Sequence, residues 1–113
     1  MRKYFLALLI AIACSGNKVE KPANLMTTEQ MVAFLIESHL TEGNLQVIRI
    51  DRDSLEAIFH QLEKELYVKH NIDSARFMQS YHYYLHQPDQ LSNIYDAVID
   101  SLSLKEKMLN SGQ

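Results

Sequence analysis

Residues 76–102 read RFMQSYHYYLHQPDQLSNIYDAVIDSL, which contains two apolar stripes of helical period on either side of Pro88. The first stripe consists of Phe77, Met78, Tyr81, Tyr84 and Leu85. The second stripe consists of Leu91, Ile94, Tyr95, Val98, Ile99 and Leu102. Proline ends a preceding helix and suits the first position of a new one. The stretch therefore predicts an antiparallel helical hairpin hinged at Gln87 and Pro88.

A first helix is predicted well before this hairpin. Thr27 and Gln30 match a capping box, and the helical period continues to about Leu45. Its broad apolar face comprises Met31, Val32, Phe34, Leu35, Ile36 and Leu40. Residues 46–52 fit either a short extended connection or an early start of the next helix.

A second helix is predicted between these two parts. Asp53 followed by Glu56 resembles an N-terminal cap, and the helical pattern continues to about His70. Its narrower apolar stripe comprises Leu55, Ile58, Phe59, Leu62 and Leu66. Asp73 is a suitable N-cap for the helix that opens the hairpin.

The chain thus predicts an all-α fold, a small four-helix domain over residues 26–109 with a loose tail at 110–113. The length of 113 residues allows one domain with a limited core. The formal charge is −3, and loss of Arg2 and Lys3 would leave −5, which makes nucleic acid an unexpected partner. Residues 15–24 are polar and aperiodic, and we predict that residues 14–25 form a lipidated cysteine followed by a flexible tether.

Residues 1–13 have the pattern of a secretory signal peptide. Arg2 and Lys3 are followed by one uncharged apolar run from Tyr4 to Ala13. That run is shorter than the roughly 20 residues that a bilayer-spanning helix needs. The alternatives are a signal cleaved at another position and an apolar helix buried in the domain.

Cys14 follows the small residue Ala13, and this junction resembles the lipobox of bacterial lipoproteins. The resemblance implies that the Cys14 thiol takes a diacylglyceryl group and that the peptide bond before Cys14 is cleaved. The α-amine of Cys14 that this cleavage frees is then acylated. Two or three acyl chains would anchor the protein stably to a membrane. The residues after Cys14 lack the acidic run that resembles a surface-export signal. We therefore predict an outer-membrane lipoprotein that faces the periplasm.

The order FLIESHLTEG, LYVKHNID and RFMQSYHYYLHQPDQLSNIYDAVIDSL resembles a known family. This family consists of small lipoproteins of Bacteroidota that carry domain of unknown function 4296, and the likeness covers roughly residues 22–102. The resemblance implies an exported helical lipoprotein. It implies no activity and no catalytic residues.

Two groups of polar residues are candidates for a site. His39 lies in the apolar arc of the first helix with Glu42 three residues later, so this pair is predicted as buried and hydrogen-bonded rather than catalytic. His82 and His86 are spaced i,i+4 beside Tyr83, which suits a small partner-binding patch. Two imidazoles without a third ligand do not make a zinc site, so no metal and no cofactor is expected.

No catalytic motif is present, so the sequence predicts a protein that is not an enzyme. The leading hypothesis is a lipid-anchored accessory or interaction protein of the cell envelope, either a subunit or an assembly factor of an envelope complex. One alternative is a chaperone-like holder whose helices splay to expose an apolar groove lined by residues such as Met31, Met78 or Met108. A less favoured one is a small enzyme or metal-binding protein that uses His39 or the His82 and His86 pair.

Overall fold

A computed structural model describes residues 19–112, so the predictions for the signal peptide and for Cys14 lie outside the described residues. The described part contains four α-helices and no strand. They are α1 (Thr28–Gln46), α2 (Arg52–Lys69), α3 (Ser74–Leu85) and α4 (Pro88–Ser111). The prediction of an all-α fold that ends in a helical hairpin is confirmed. None of these four helices combines the length and apolarity that a bilayer crossing needs.

Three helices begin where the sequence predicts. Thr27 accepts a hydrogen bond from the Gln30 N–H at 3.1 Å, and the Gln30 side chain accepts one from the Thr27 N–H at 2.9 Å. This reciprocal pair is the predicted capping box of α1. Asp73 accepts from the Arg76 N–H at 2.7 Å and caps α3, while Pro88 is the first residue of α4.

The start of α2 and the end of α4 differ from the predictions. The N-cap of α2 is Asp51 rather than Asp53, because the Asp51 carboxylate accepts from both the N–H and the hydroxyl of Ser54, at 3.0 and 2.8 Å. These hydrogen bonds lower the pKa of Asp51. Residues 47–51 are thus a short non-helical connection. The α4 helix continues to Ser111, so the predicted loose tail does not begin at residue 110.

The helices form an open arrangement in which α1 and α4 are central. The α1 helix packs most extensively on α4, while α2 packs mainly on α1 and α3 on α4. The core lies where α1, α3 and α4 meet, and its buried members are Met26, Met31, Phe34, Leu35, Tyr84, Ile94 and Val98. Burial of each such side chain contributes about 1.5–3 kcal/mol. No residue of α2 is fully buried, so α2 is the least enclosed helix.

The buried face of α3 is rotated relative to the predicted one. Ser80 is fully buried, and its hydroxyl accepts a hydrogen bond from the Met26 N–H at 2.9 Å. The Tyr84 hydroxyl donates to the Met26 carbonyl at 2.6 Å, so both polar backbone groups of this buried residue have partners on α3. The buried face of α3 is therefore centred between Ser80 and Tyr84. Met78 and Leu85 lie outside this face and are exposed, whereas the sequence predicts them to be buried.

A second contact closes the hairpin further along. The Tyr81 and Tyr95 hydroxyls lie 2.9 Å apart, each seven residues from Pro88 on opposite sides. The hydrogen bond with Tyr81, together with burial, raises the pKa of Tyr95 to about 12. This symmetric contact is the one expected for antiparallel helices.

The chain before α1 is attached to the helical domain. The Arg76 guanidinium donates to the Asn24 carbonyl at 3.0 Å, and Leu25 packs against the core. The flexible tether predicted over residues 14–25 therefore does not extend to the end of that range. Since Met26 contacts Tyr84 close to the start of α4, α1 and α4 begin at the same end of the molecule and run in the same general direction.

Candidate interaction surface

The prediction of a buried pair at His39 and Glu42 is wrong, since both residues are exposed. The buried residues of the first turns of α1 are Met31, Phe34 and Leu35, and His39 lies at the edge of their arc, where it faces solvent. The arc looked wide in the sequence because α1 carries apolar residues on most of its sides.

The structure brings together two of the three residues predicted as a partner-binding patch. The His82 and His86 rings are exposed, with centroids 4.9 Å apart, and His86 Nδ1 lies 3.0 Å from the His82 carbonyl oxygen. Tyr83 is half-buried against the core and lies edge-on to Tyr84, with ring centroids 5.4 Å apart, so the expectation that it is an exposed member of the patch is wrong.

An aromatic cluster joins α1 to the end of α2 and to α3. The Phe34 ring stacks on Tyr67 with centroids 5.4 Å apart and lies 4.6 Å from Phe77. The His70 ring meets Phe34 edge-on at 5.5 Å. The Tyr67 hydroxyl donates to Glu63 at 2.9 Å, and burial together with this carboxylate raises the pKa of Tyr67 to about 12. This cluster fixes one end of the α1–α2 pair.

The same end carries a charged contact that the sequence reasoning missed. Glu37 on α1 accepts a hydrogen bond from Lys69 Nζ at 2.9 Å and lies 3.4 Å from His70 Nε2. That nitrogen is buried and has no well-aligned hydrogen bond. The hydrogen bond from Lys69 lowers the pKa of Glu37, and this effect outweighs desolvation, which acts in the opposite direction. The sequence does contain one signal for this contact. Lys69 and His70 are adjacent basic residues at the end of a predicted helix, a position suited to pairing with a carboxylate on a neighbouring helix.

Stability should depend on pH through Glu37. Its folded pKa lies below the ordinary value of 4.5, so its contribution is complete above that value and is lost as the pH falls through the folded pKa. Wild type should exceed Glu37→Gln in unfolding free energy by less than about 1 kcal/mol at neutral pH, since the contact is partly exposed. Urea unfolding between about pH 3 and pH 7 measures this gap, which should close in acid.

Glu106→Gln is the matched control, since Glu106 is exposed and lies on α4 rather than beside Lys69 and His70 on α2. It should show no such closing gap. A Glu37→Gln deficit that stayed constant down to the acid limit would contradict the role assigned to the Glu37 carboxylate.

The opposite end of the α1–α2 pair is open. A cleft of about 300 Å³ lies between the last turns of α1 and the first turns of α2. Leu45, Leu55 and Phe59 form its apolar floor, and its other lining residues are Glu42, Gln46, Glu56 and His60. We call these seven residues the α1–α2 cleft. Leu45 is 6% exposed, whereas Leu55 and Phe59 are half-buried and accessible from the cleft.

Exposed apolar side chains border the α1–α2 cleft. The connection from α1 to α2 presents Val47, Ile48 and Ile50, of which Val47 is 80% exposed. Three branched aliphatic residues within four positions form an uncommon surface for a chain with 22% charged residues. They add exposed apolar surface to the same end of the α1–α2 pair as the cleft floor.

The rim of the α1–α2 cleft is predominantly acidic. Glu42 and Glu56 line it from opposite helices, and both are exposed. Arg52 pairs with Glu56 at 3.4 Å, but this pair is exposed on both sides and holds the carboxylate only weakly. An apolar floor with an acidic rim favours a ligand that offers an apolar anchor beside positive charge.

No group of three or more histidine, cysteine, aspartate or glutamate side chains within residues 19–112 is placed to hold a metal ion. The His82 and His86 pair stands apart from the α1–α2 cleft on a different helix. The apolar floor and the two rim carboxylates of the cleft suit contact with another molecule through packing and charge.

Comparison with known proteins gives one similarity. A family model described as Domain of unknown function (DUF4296) matches residues 22–108. No curated protein matches the chain significantly, and no solved structure does so either. The matched residues include all four starts of the helices and most of their length.

Proposed function

Because the chain belongs to the family of Domain of unknown function (DUF4296), which brings no activity with it, we propose a function from the chain's own features. It is a lipid-anchored, non-catalytic accessory protein of the bacterial cell envelope. It acts as a subunit or assembly factor by binding a partner protein in the α1–α2 cleft.

The anchor part of the proposal is supported by the sequence of residues 1–14. A basic start, an apolar run of signal-peptide length and Cys14 after Ala13 are the features that lipoprotein processing requires. The resemblance to small Bacteroidota lipoproteins supports the same assignment. The absence of an acidic run after Cys14 supports an outer-membrane position with the domain in the periplasm.

The proposal that a partner protein binds in the cleft is supported by the apolar surface at this end of the α1–α2 pair. Phe59 and Leu55 are reachable from solvent, and Val47 and Ile48 add exposed apolar surface at the same end. Aromatic residues, phenylalanine among them, are enriched at protein–protein interfaces. The partner's contact would be an apolar side chain next to a lysine or arginine, because the cleft rim carries Glu42 and Glu56.

The anchor and the cleft act together in this mechanism. A lipid on Cys14 confines the domain to a thin layer at the membrane surface and raises its effective concentration near other envelope proteins. A cleft of this size can then be occupied even though its intrinsic affinity is modest. The protein supplies position and a binding surface, and it performs no reaction.

A crosslinked pull-down from detergent-solubilised membranes tests the proposal, with native protein compared to Cys14→Ala. We expect one defined envelope protein to copurify with the native form and to decrease strongly with the variant, since the variant loses its lipid. Equal capture by both forms would contradict the positional role of the anchor. The matched control is Ser15→Ala, which leaves the cysteine in place and should behave as wild type.

A second candidate function is a chaperone-like holder of exported chains. The open α1–α2 cleft favours it, because α2 packs mainly on α1 and leaves an apolar floor accessible. Met31 is fully buried and cannot line such a groove, whereas Met78 and Met108 are exposed on α3 and α4, which do not line the cleft. In the same pull-down, many unrelated exported proteins instead of one would favour the holder.

A further inference from the structure

A second apolar groove lies between α1 and α4, on a side of the molecule that neither α2 nor α3 covers. Its volume is about 610 Å³. Its lining residues are Thr28, Glu29, Val32, Ala33, Ile36, Gln90, Asn93, Ile94 and Ala97. The side chains along its floor are aliphatic and several are small, so the surface of a further helix could approach closely.

The α4 helix extends this groove as an exposed stripe. Ala97, Ser101, Leu104 and Met108 are spaced by four, three and four residues, so they lie on one face of the helix, and Ala97 lines the groove. We call these four residues the α4 stripe. Leu104 is 59% exposed and Met108 is 64% exposed, whereas Ala97 and Ser101 are half-buried. The half near the groove is made of small residues, and the far half is made of large ones.

One flank of the α4 stripe has a matching division of charge. Asp96 and Asp100 flank the small half, and Lys107 flanks the large half. The spacings of four and seven residues place all three on the same side of the helix, and all three are exposed. The stripe is therefore small and acidic toward its beginning, and large and basic toward its end.

We propose that a second copy of this chain packs its α4 antiparallel onto the α4 stripe and forms a two-fold symmetric dimer. In an antiparallel pair, Leu104 and Met108 of each copy lie against Ser101 and Ala97 of the other. A two-fold interface uses the same patch on both subunits, which requires a patch that is complementary to itself. The α4 stripe meets that requirement in both shape and charge.

The charges and the groove add to this complementarity. In antiparallel helices the same flank of each helix faces the other, so Lys107 of each copy lies near Asp96 and Asp100 of the other. A parallel pair would instead place leucine against leucine and serine against serine, and it would bring opposite flanks of the two helices together, so Lys107 would not lie near Asp96 and Asp100 of the other copy. Met108 of each copy reaches the α1–α4 groove of the other at Ala97, and methionine adapts well to irregular apolar space. This dimer uses a surface that is separate from the α1–α2 cleft, so it does not depend on the proposed function.

Sedimentation equilibrium of the full chain in density-matched detergent tests the dimer. Met108→Asp should weaken the dimer Kd by about thirtyfold, as expected for loss of an interface anchor. Ile99→Asp is the matched control, because Ile99 is a 56% exposed aliphatic residue on the opposite side of α4. It should leave the Kd unchanged. Circular dichroism confirms that each variant retains its helical content.

Charge reversal gives a test that does not depend on the apolar stripe. Asp96→Lys and Lys107→Asp should each weaken the Kd by about tenfold, because each dimer contains two copies of the contact. The double variant should return to near the wild-type Kd. A wild-type protein that stays monomeric at the highest concentration measured would overturn the proposal. So would an Ile99→Asp effect equal to that of Met108→Asp, or a double variant as weak as the single ones.

Discussion

Replacing Phe34 with alanine is expected to lower the free energy of unfolding by about 3–5 kcal/mol, the largest stability effect in the domain. Phe34 is 2% exposed and its ring contacts Tyr67, His70 and Phe77. These contacts connect α1 to the ends of both α2 and α3. Removing the ring leaves a cavity at the junction of three helices, and the two short connections at residues 70–73 and 86–87 restrict how far the helices can collapse into it.

Urea unfolding of Phe34→Ala and Phe59→Ala measures the difference between the two ends of α2. Phe59 is half-buried and borders open space, so its replacement should cost only about 1 kcal/mol. The large difference between two phenylalanine substitutions follows from the packing of one end and the openness of the other. Similar losses for both variants would contradict the description of α2 as held chiefly at its C-terminal end.

Replacing Phe59 with aspartate is expected to abolish capture of the partner protein while the helical fold persists. The substitution places a charge on the apolar floor of the α1–α2 cleft, beside the carboxylates of Glu42 and Glu56. It thereby removes the apolar anchor and adds repulsion within an already acidic rim. Loss of a central aromatic contact costs about 2 kcal/mol or more, which weakens binding by at least about thirtyfold.

Quantitative pull-down from membranes compares this variant with Met78→Asp. Met78 is 61% exposed on α3 and lies outside the α1–α2 cleft, so its replacement should leave capture unchanged. Both variants should show wild-type helical content and membrane localisation. Capture of the partner protein by Phe59→Asp at the wild-type level would show that the partner does not bind in the α1–α2 cleft.

The sequence predicts where the helices begin more successfully than it predicts which helices pack against one another. The capping box at Thr27, the cap at Asp73 and the proline at Pro88 are local signals, since each depends on residues within one turn. The cap of α2 was misplaced because Asp51 and Asp53 both suit the position, and the choice depends on Ser54 as a donor. Such competition between adjacent carboxylates is not visible in a hydrophobic pattern.

Burial was harder to predict because it depends on which helices pack together. The periodicity of α1 is compatible with several buried faces, and the choice that excludes His39 is made by contacts with α2 and α4. Met78 and Leu85 share the apolar pattern of α3, yet the burial of Ser80 against Met26 turns that face away from them. A serine that hydrogen-bonds a backbone 54 residues away leaves no periodic signal.

The candidate site was missed for the same reason. The cleft lies between the last turns of α1 and the first turns of α2, whereas the aromatic packing of the pair is concentrated near Phe34, at the other end. The sequence places Phe59 and Leu55 correctly on one face of α2. Only the pairing of the helices shows that this face is partly uncovered.

Site-specific photocrosslinking in intact cells tests whether a partner binds at the α1–α2 cleft, with a benzophenone amino acid placed at position 59 and, as a control, at position 78. We expect a single crosslinked envelope protein from position 59, dependent on Cys14, and no crosslink from position 78. An absence of crosslinks from position 59, or the same set of products from both positions, would rule out binding of one partner at the cleft.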